Sequence, residues 1–249
     1  MNESFKTKLL RRDLLVGIIQ TLPSLEITEI LCSAGFDWLF VDLEHSTLNS
    51  KDAQNILQTA ASLTPCMVRV PSIDEIWIKK SLDAGAGGII VPQVLSAEAA
   101  EQAVRLCKYP PEGVRSVGVA RAQGYGEKFQ EYIDSANSET AVIIQIEHID
   151  AVNNIDAIVK ISGIDCLFIG PYDLSASMGK PGRIEAPDVQ SAISSVKECA
   201  ERAGIPLGIF GSTAESVKPY IEMGYTLIAV GMDTMILGSA ARGLLAQLR

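Results

Sequence analysis

Long hydrophobic runs are missing from this sequence. No stretch approaches the ~20 apolar residues of a membrane span, so no membrane location is expected. Basic charge is also short: 21 Lys and Arg stand against 30 Asp and Glu, a formal net charge of −9, with a pI near 4.8. Nucleic acid is not an expected partner, because its phosphates require a basic face. A small anion remains an acceptable ligand where a local Arg or a bound cation reverses the field. The five cysteines, Cys32, Cys66, Cys107, Cys166 and Cys199, include no CxxC pair and sit mostly among apolar neighbours. They read as buried free thiols in a reducing compartment. The segment Met1–Asp13 has neither the apolar core nor the cleavage site of a secretory leader, which makes the cytoplasm the expected location. Histidine is scarce, with only His45 and His148. No Walker motif occurs, and Gly85-Ala-Gly-Gly precedes a strand instead of opening a helix after one, so the dinucleotide fingerprint is absent.

What is present is apolar and regularly alternating. Hydrophobic residues make up 47% of the 249 residues, enough for a large core. Strand patterns at Leu14–Thr21, Trp38–Leu43, Pro65–Val70, Gly88–Val91, Ala141–Glu147, Asp165–Ile169, Leu207–Phe210 and Leu227–Val230 alternate with helical ones. The helices are expected at Ser24–Ala34, Ser50–Ser62 (with Ser50 placed to cap it), Asp74–Ala84, Ser96–Lys108, Ile149–Lys160, Asp188–Ala203, Thr213–Met223 and Asp233–Leu248. Longer Gly- and Pro-bearing connections run over Tyr109–Gly126 and Gly170–Pro187. Eight such units within about 250 residues predict an α/β fold of the TIM (β/α)8 barrel type. No composition break divides the chain, so a single domain over residues 1–249 is expected. An open sheet satisfies the same count.

In such a barrel the active site lies at the C-terminal ends of the strands. The polar residues expected there are Asp42 and His45 after the second strand, Arg69 at the end of the third, Gln145 and Glu147 on one face of the fifth, and Tyr172 and Asp173 after the sixth. Arg69 lies in a buried run and needs a carboxylate or an anionic ligand; Glu147 could be that carboxylate. Asp173 could cap a short helix starting at Leu174. His148, on the opposite strand face from Glu147, reads as structural. Two carboxylates from neighbouring strands also suit a hard divalent cation, leaving positions for water and a chelating 2-oxo acid. Arg69 would then add positive charge at the keto oxygen, and His45 suits proton transfer. The backbone N–H groups of Tyr172 and Asp173, at a helix start, suit the substrate carboxylate.

These residues resemble the HpcH/HpaI aldolases, class II pyruvate aldolases of the phosphoenolpyruvate/pyruvate-binding barrel superfamily. The similarity runs through Gly35-Phe-Asp-Trp-Leu-Phe-Val-Asp-Leu-Glu-His45, Val68-Arg-Val-Pro71, Leu82-Asp-Ala-Gly-Ala-Gly-Gly-Ile-Ile-Val-Pro-Gln93, Gln145-Ile-Glu147 and Gly170-Pro-Tyr-Asp-Leu-Ser-Ala-Ser-Met-Gly179. It implies metal-dependent, reversible cleavage of a 4-hydroxy-2-oxo acid to pyruvate and an aldehyde. Glu147 and Asp173 would bind the cation (Mg²⁺ or Mn²⁺, with Co²⁺ a further candidate), Arg69 would stabilise the enolate, and His45 would serve as acid/base. Asp83 matches the acidic partner of that histidine, and Asp42 would stand behind the metal or orient water. The resemblance further implies a homo-oligomer, commonly a hexamer, with the last helix packed on a neighbour. The apolar segment Met235–Leu248 is compatible with this. Tyr172 departs from the pattern by replacing a small residue, which implies a narrower pocket or an added hydroxyl. The segment Gly113–Gly126 follows the family's loop only in part, leaving the aldehyde open. Competing readings are an acyl-CoA ester lyase, an oxo-acid decarboxylase and a non-catalytic oxo-acid-binding barrel.

Overall fold

A computed structural model of the chain describes residues 3–249; of the segment Met1–Asp13, residues 1 and 2 lie outside that range. In chain order the elements are α1 (Phe5–Leu10), β1 (Leu15–Gln20), α2 (Leu25–Ser33), β2 (Trp38–Asp42), α3 (Ser50–Ala60), β3 (Cys66–Arg69), α4 (Glu75–Asp83), β4 (Gly88–Val91), α5 (Ala97–Cys107), α6 (Phe129–Glu139), β5 (Ala141–Ile146), α7 (Ile149–Asn153), α8 (Ile155–Ile158), β6 (Cys166–Ile169), α9 (Pro171–Ser177), α10 (Pro187–Ala203), β7 (Leu207–Gly211), α11 (Ala214–Glu222), β8 (Leu227–Met232) and α12 (Asp233–Ala246). The eight strands are parallel and pair in sequence order, and β8 returns to β1 to close the barrel. The alternation of strand and helix is therefore a TIM-type barrel, not an open sheet.

The strands are apolar on both faces, as a parallel sheet covered on both sides requires. One set of side chains, including Leu39, Val41, Val68 and Ile89, packs outward against the helices. The alternate set fills the barrel interior. Its axis is aromatic: Phe5, Trp38, Phe40 and Phe168 follow one another with ring centroids 5.8–6.1 Å apart. Helix α1 contributes Phe5 and Leu9 to this interior cluster. Small residues make room for the rings. A Cβ on Gly17 would come within 2.5 Å of the Trp38 indole, and one on Gly208 within 2.5 Å of Phe168.

Side-chain caps start most outer helices. Ser24, Asp74, Ser96 and Thr213 accept first-turn N–H groups of α2, α4, α5 and α11. The cap of α3 is Asn49, one residue before the expected Ser50, because Asp52 bonds back to the Asn49 N–H and completes a capping box. The helix expected over Ile149–Lys160 is broken at Asn154, whose side chain donates to the Leu95 carbonyl at 2.9 Å. Two helices lie where none was expected, α1 and α6, and the short helix expected from Leu174 begins three residues earlier, as α9. All five cysteines are free, and four are buried. No helix among the described residues is long and apolar enough to cross a membrane.

Candidate active site

Strands β2 and β3 are in register so that Asp42 lies opposite Arg69 at the C-terminal rim. The guanidinium reaches across: Nε donates to Asp42 Oδ1 at 2.9 Å and Nη2 to Oδ2 at 2.7 Å. Its Cζ lies 5.1 Å from the Phe40 ring centroid, so the aromatic axis forms a floor beneath the charge. Burial alone would weaken that charge, but Asp42, Glu44 and Glu147 hold the Arg69 pKa above its ordinary value. Asp42 Oδ1 also accepts the N–H groups of Glu44 and His45, at 3.0 and 3.3 Å. Asp42 is thus bound to Arg69 and to the loop that carries His45.

Glu44 belongs to the site although the sequence reading gave it no role. Its Oε2 is 3.2 Å from Arg69 Nη1 but lies off the N–H directions and accepts no hydrogen bond. Burial lifts its pKa to about 7; Arg69 opposes the shift, while Asp42 and Asp173 add to it. The signal for Glu44 was its place between Asp42 and His45 at the end of an apolar strand.

Glu147 stands just beyond β5. Its Oε1 accepts the Gln93 N–H at 2.8 Å, and its Oε2 accepts the Gln145 side-chain amide. Gln93 donates from a left-handed backbone, φ 55°, an unusual state for a residue with a side chain. Burial lifts Glu147 to about 7; the Gln93 N–H and Arg69 oppose this, and the charges of Glu44 and Asp173 reinforce it. Glu147 is therefore not the partner that neutralises Arg69.

Asp173 sits in the first turn of α9, which starts at Pro171, not at Leu174, and has no side-chain cap. Tyr172 beside it is 37% exposed, with its hydroxyl 3.5 Å from Ser212 Oγ and its ring centroid 5.9 Å from that of Phe210. His45 is largely exposed. A cavity of about 200 Å³ joins His45, Arg69, Gln145, Tyr172 and Asp173.

One expected site residue, Asp83, lies elsewhere. Asp83 ends α4, at the N-terminal end of the strands and so opposite His45 within one copy of the chain. There it binds Arg115 at 2.8 Å, whose guanidinium lies over the Tyr109 and Tyr132 rings. His148 caps α7 through Nδ1, the structural role expected of it.

The donor set fits a hard divalent cation. Glu147 is a buried carboxylate whose neighbours leave its charge undercompensated, and the buried Gln145 Oε1 has no partner. Among the described residues no group of three or more His, Cys, Asp or Glu side chains converges as a complete metal cage. A cation on Glu147 and Asp173 would therefore keep positions open for substrate and water.

The structure is thus a closed barrel with an arginine-braced acidic pocket at the C-terminal rim of its strands. Residues 21–240 match the HpcH/HpaI aldolase/citrate lyase family, and the chain belongs to that family. It is 39% identical to the hydroxypyruvate/pyruvate aldolase of Paraburkholderia phytofirmans, covering 98% of this chain and 96% of the relative. It is 38% identical to the 4-hydroxy-2-oxo-heptane-1,7-dioate aldolase of Shigella sonnei, over 99% and 95% of the two chains. Among solved structures, an HpcH/HpaI aldolase/citrate lyase family protein from Burkholderia cenocepacia superposes with a TM-score of 0.94, at 36% identity and 98% coverage of both chains. The chain is a metal-dependent aldolase, a carbon–carbon lyase of class II.

Proposed function

We propose that Glu147 and Asp173 hold the divalent cation of this aldolase, Mg²⁺ or Mn²⁺, while Arg69 and His45 carry the chemistry on a 4-hydroxy-2-oxo acid. The observation that carries this reading is the undercompensated Glu147 carboxylate beside Asp173, Gln145 and Arg69 at one rim. When bound, the cation supplies Lewis acidity toward a 2-oxo acid, favouring charge on the keto oxygen.

The residues of the chain do the rest. Arg69, fixed by Asp42, presents positive charge that cannot swing away, and this favours the enolate over the neutral oxo acid. His45 takes the C4 hydroxyl proton; the C4–O bond becomes the aldehyde carbonyl, the C3–C4 bond breaks, and its electron pair becomes the enolate of pyruvate. A proton delivered to C3 from solvent water completes pyruvate, and His45 returns its proton to solvent, so the step is proton-neutral. Gln93 and Gln145 hold Glu147 through its two oxygens. In the condensation direction the same groups act in reverse.

The exposed apolar side chains around α12 support a homo-oligomer, with a second copy covering this helix. Met235, Ile236, Leu237, Leu244 and Leu245 are exposed, and only Asp233 of this helix is buried. The test of the function is pyruvate release from 4-hydroxy-2-oxo acids by the metal-loaded protein. Turnover that persists in full after chelation would contradict it.

A further inference from the structure

The barrel order divides the rim of the cavity into two arcs. The polar groups, His45, Arg69, Gln145 and Asp173, all come from the side of β2, β3, β5 and the segment after β6, above a floor made by Phe40 of β2 and Phe168 of β6. Strands β7, β8 and β1, which are contiguous across the closure, supply Phe210, Met232 and Ile19. Tyr172 stands at the seam, its ring tilted 51° against Phe210 and its hydroxyl near Ser212.

We propose that this apolar arc seats the aldehyde fragment and selects an uncharged, hydrocarbon-chained aldehyde over one ending in a second carboxylate, with the Tyr172 ring as the selecting wall. The proposal rests on the aldolase reading and names its acceptor class. A 2-oxo acid engaged by the polar arc directs the rest of its chain across the small cavity to the opposite side. A distal carboxylate arriving there would lose water and meet side chains unable to replace it.

Charge points the same way. Among the described residues that line the cavity, Arg69 is the only fixed cation, and it already serves Asp42 through two hydrogen bonds and faces Glu44 at 3.2 Å. A hydrocarbon chain instead gains by covering the Tyr172 and Phe210 rings.

The test condenses pyruvate with butanal or with 4-oxobutanoate, equal in carbon count and differing at the far end, on the assembled, metal-loaded protein. Wild type is expected to favour butanal in kcat/KM by about tenfold or more, the scale on which a pocket of this kind discriminates. Tyr172→Phe keeps that ratio. Tyr172→Ala lowers it by about fivefold or more, chiefly through a higher KM for butanal. A wild-type preference for 4-oxobutanoate, equal use of the two, or an unchanged ratio in Tyr172→Ala overturns the proposal. Exchange of pyruvate C3 protons with solvent by the wild type, measured without aldehyde, keeps the two readings apart. Absence of exchange defeats the aldolase reading, whereas exchange with the wrong acceptor order defeats this inference alone.

Discussion

Asp42 and Arg69 lie in register across β2 and β3, and both oxygens of the carboxylate receive N–H groups of the one guanidinium. Asp42 is fully buried and Arg69 nearly so. Removing one member strands the other without water. Asp42→Ala is expected to cost about 3–5 kcal/mol of stability, the scale for breaking a buried pair, read as a lower urea midpoint. It should also cost activity, since Arg69 and the loop bearing His45 both hang on that carboxylate. A midpoint shift equivalent to less than about 1 kcal/mol would mean that Glu44 replaces Asp42 as the counter-charge.

Gly170 determines how Glu147 is held. A Cβ at this position would lie 3.0 Å from Gln145 Nε2 and from Glu147 Cβ, and 3.1 Å from Glu147 Oε2. Gly170→Ala should therefore displace the carboxylate while leaving the barrel folded. Cation affinity by calorimetry is expected to fall by about 10- to 100-fold, as when a metal ligand loses its support, with an unchanged far-ultraviolet dichroism spectrum. Unaltered affinity would show that Glu147 is not a ligand or that the site relaxes freely.

Acidity should govern loading. Burial, with Glu44 and Asp173 adding charge, lifts Glu147 in the metal-free protein from 4.5 to about 7. Below 4.5 the group is neutral both folded and unfolded. Between 4.5 and 7 the unfolded chain releases the proton and the folded chain keeps it, so this group withdraws stability as pH rises through that window. A cation must displace the same proton. Its apparent affinity should climb by up to about tenfold per pH unit below about 7 and flatten above. Calorimetry in buffers of different ionisation enthalpy should detect proton release at about pH 6 and little at about pH 8.5; no release at the lower pH would contradict the assignment.

His45 is largely exposed and held by its backbone N–H to Asp42. His45→Ala should leave cation binding intact and slow cleavage by about 10²–10⁴-fold, the range for one acid-base group. An unchanged cleavage rate removes His45 from the chemistry.

The strands were legible because each is a short apolar run bounded by turn formers, and their order alone placed Arg69, Glu147 and Asp173 at one rim. Helix α1 is only six residues long, too short for a periodic signal. Helix α6 does place Phe129, Tyr132, Ile133 and Ala136 at helical spacing, a signal passed over because the segment follows a long Gly-bearing loop and has no strand before it. In α9, Pro171 reads as a loop residue but occupies the first helical position, where its missing N–H costs nothing. The Gln93 N–H on Glu147 was invisible for another reason: it depends on a left-handed backbone at a residue that seldom adopts one. Asp83 was matched by its motif, whereas its side chain's surroundings are set by Arg115 and two tyrosines that come later in the chain.

The central claim is tested most directly by titrating Mn²⁺ into the metal-free protein and into Glu147→Gln and Asp173→Asn, with binding followed by electron paramagnetic resonance and aldol cleavage assayed on the same samples. Wild type should bind one ion per chain, and each variant should lose tight binding and turnover together. Tight Mn²⁺ binding retained in both variants, or cleavage undiminished in either, would contradict the account.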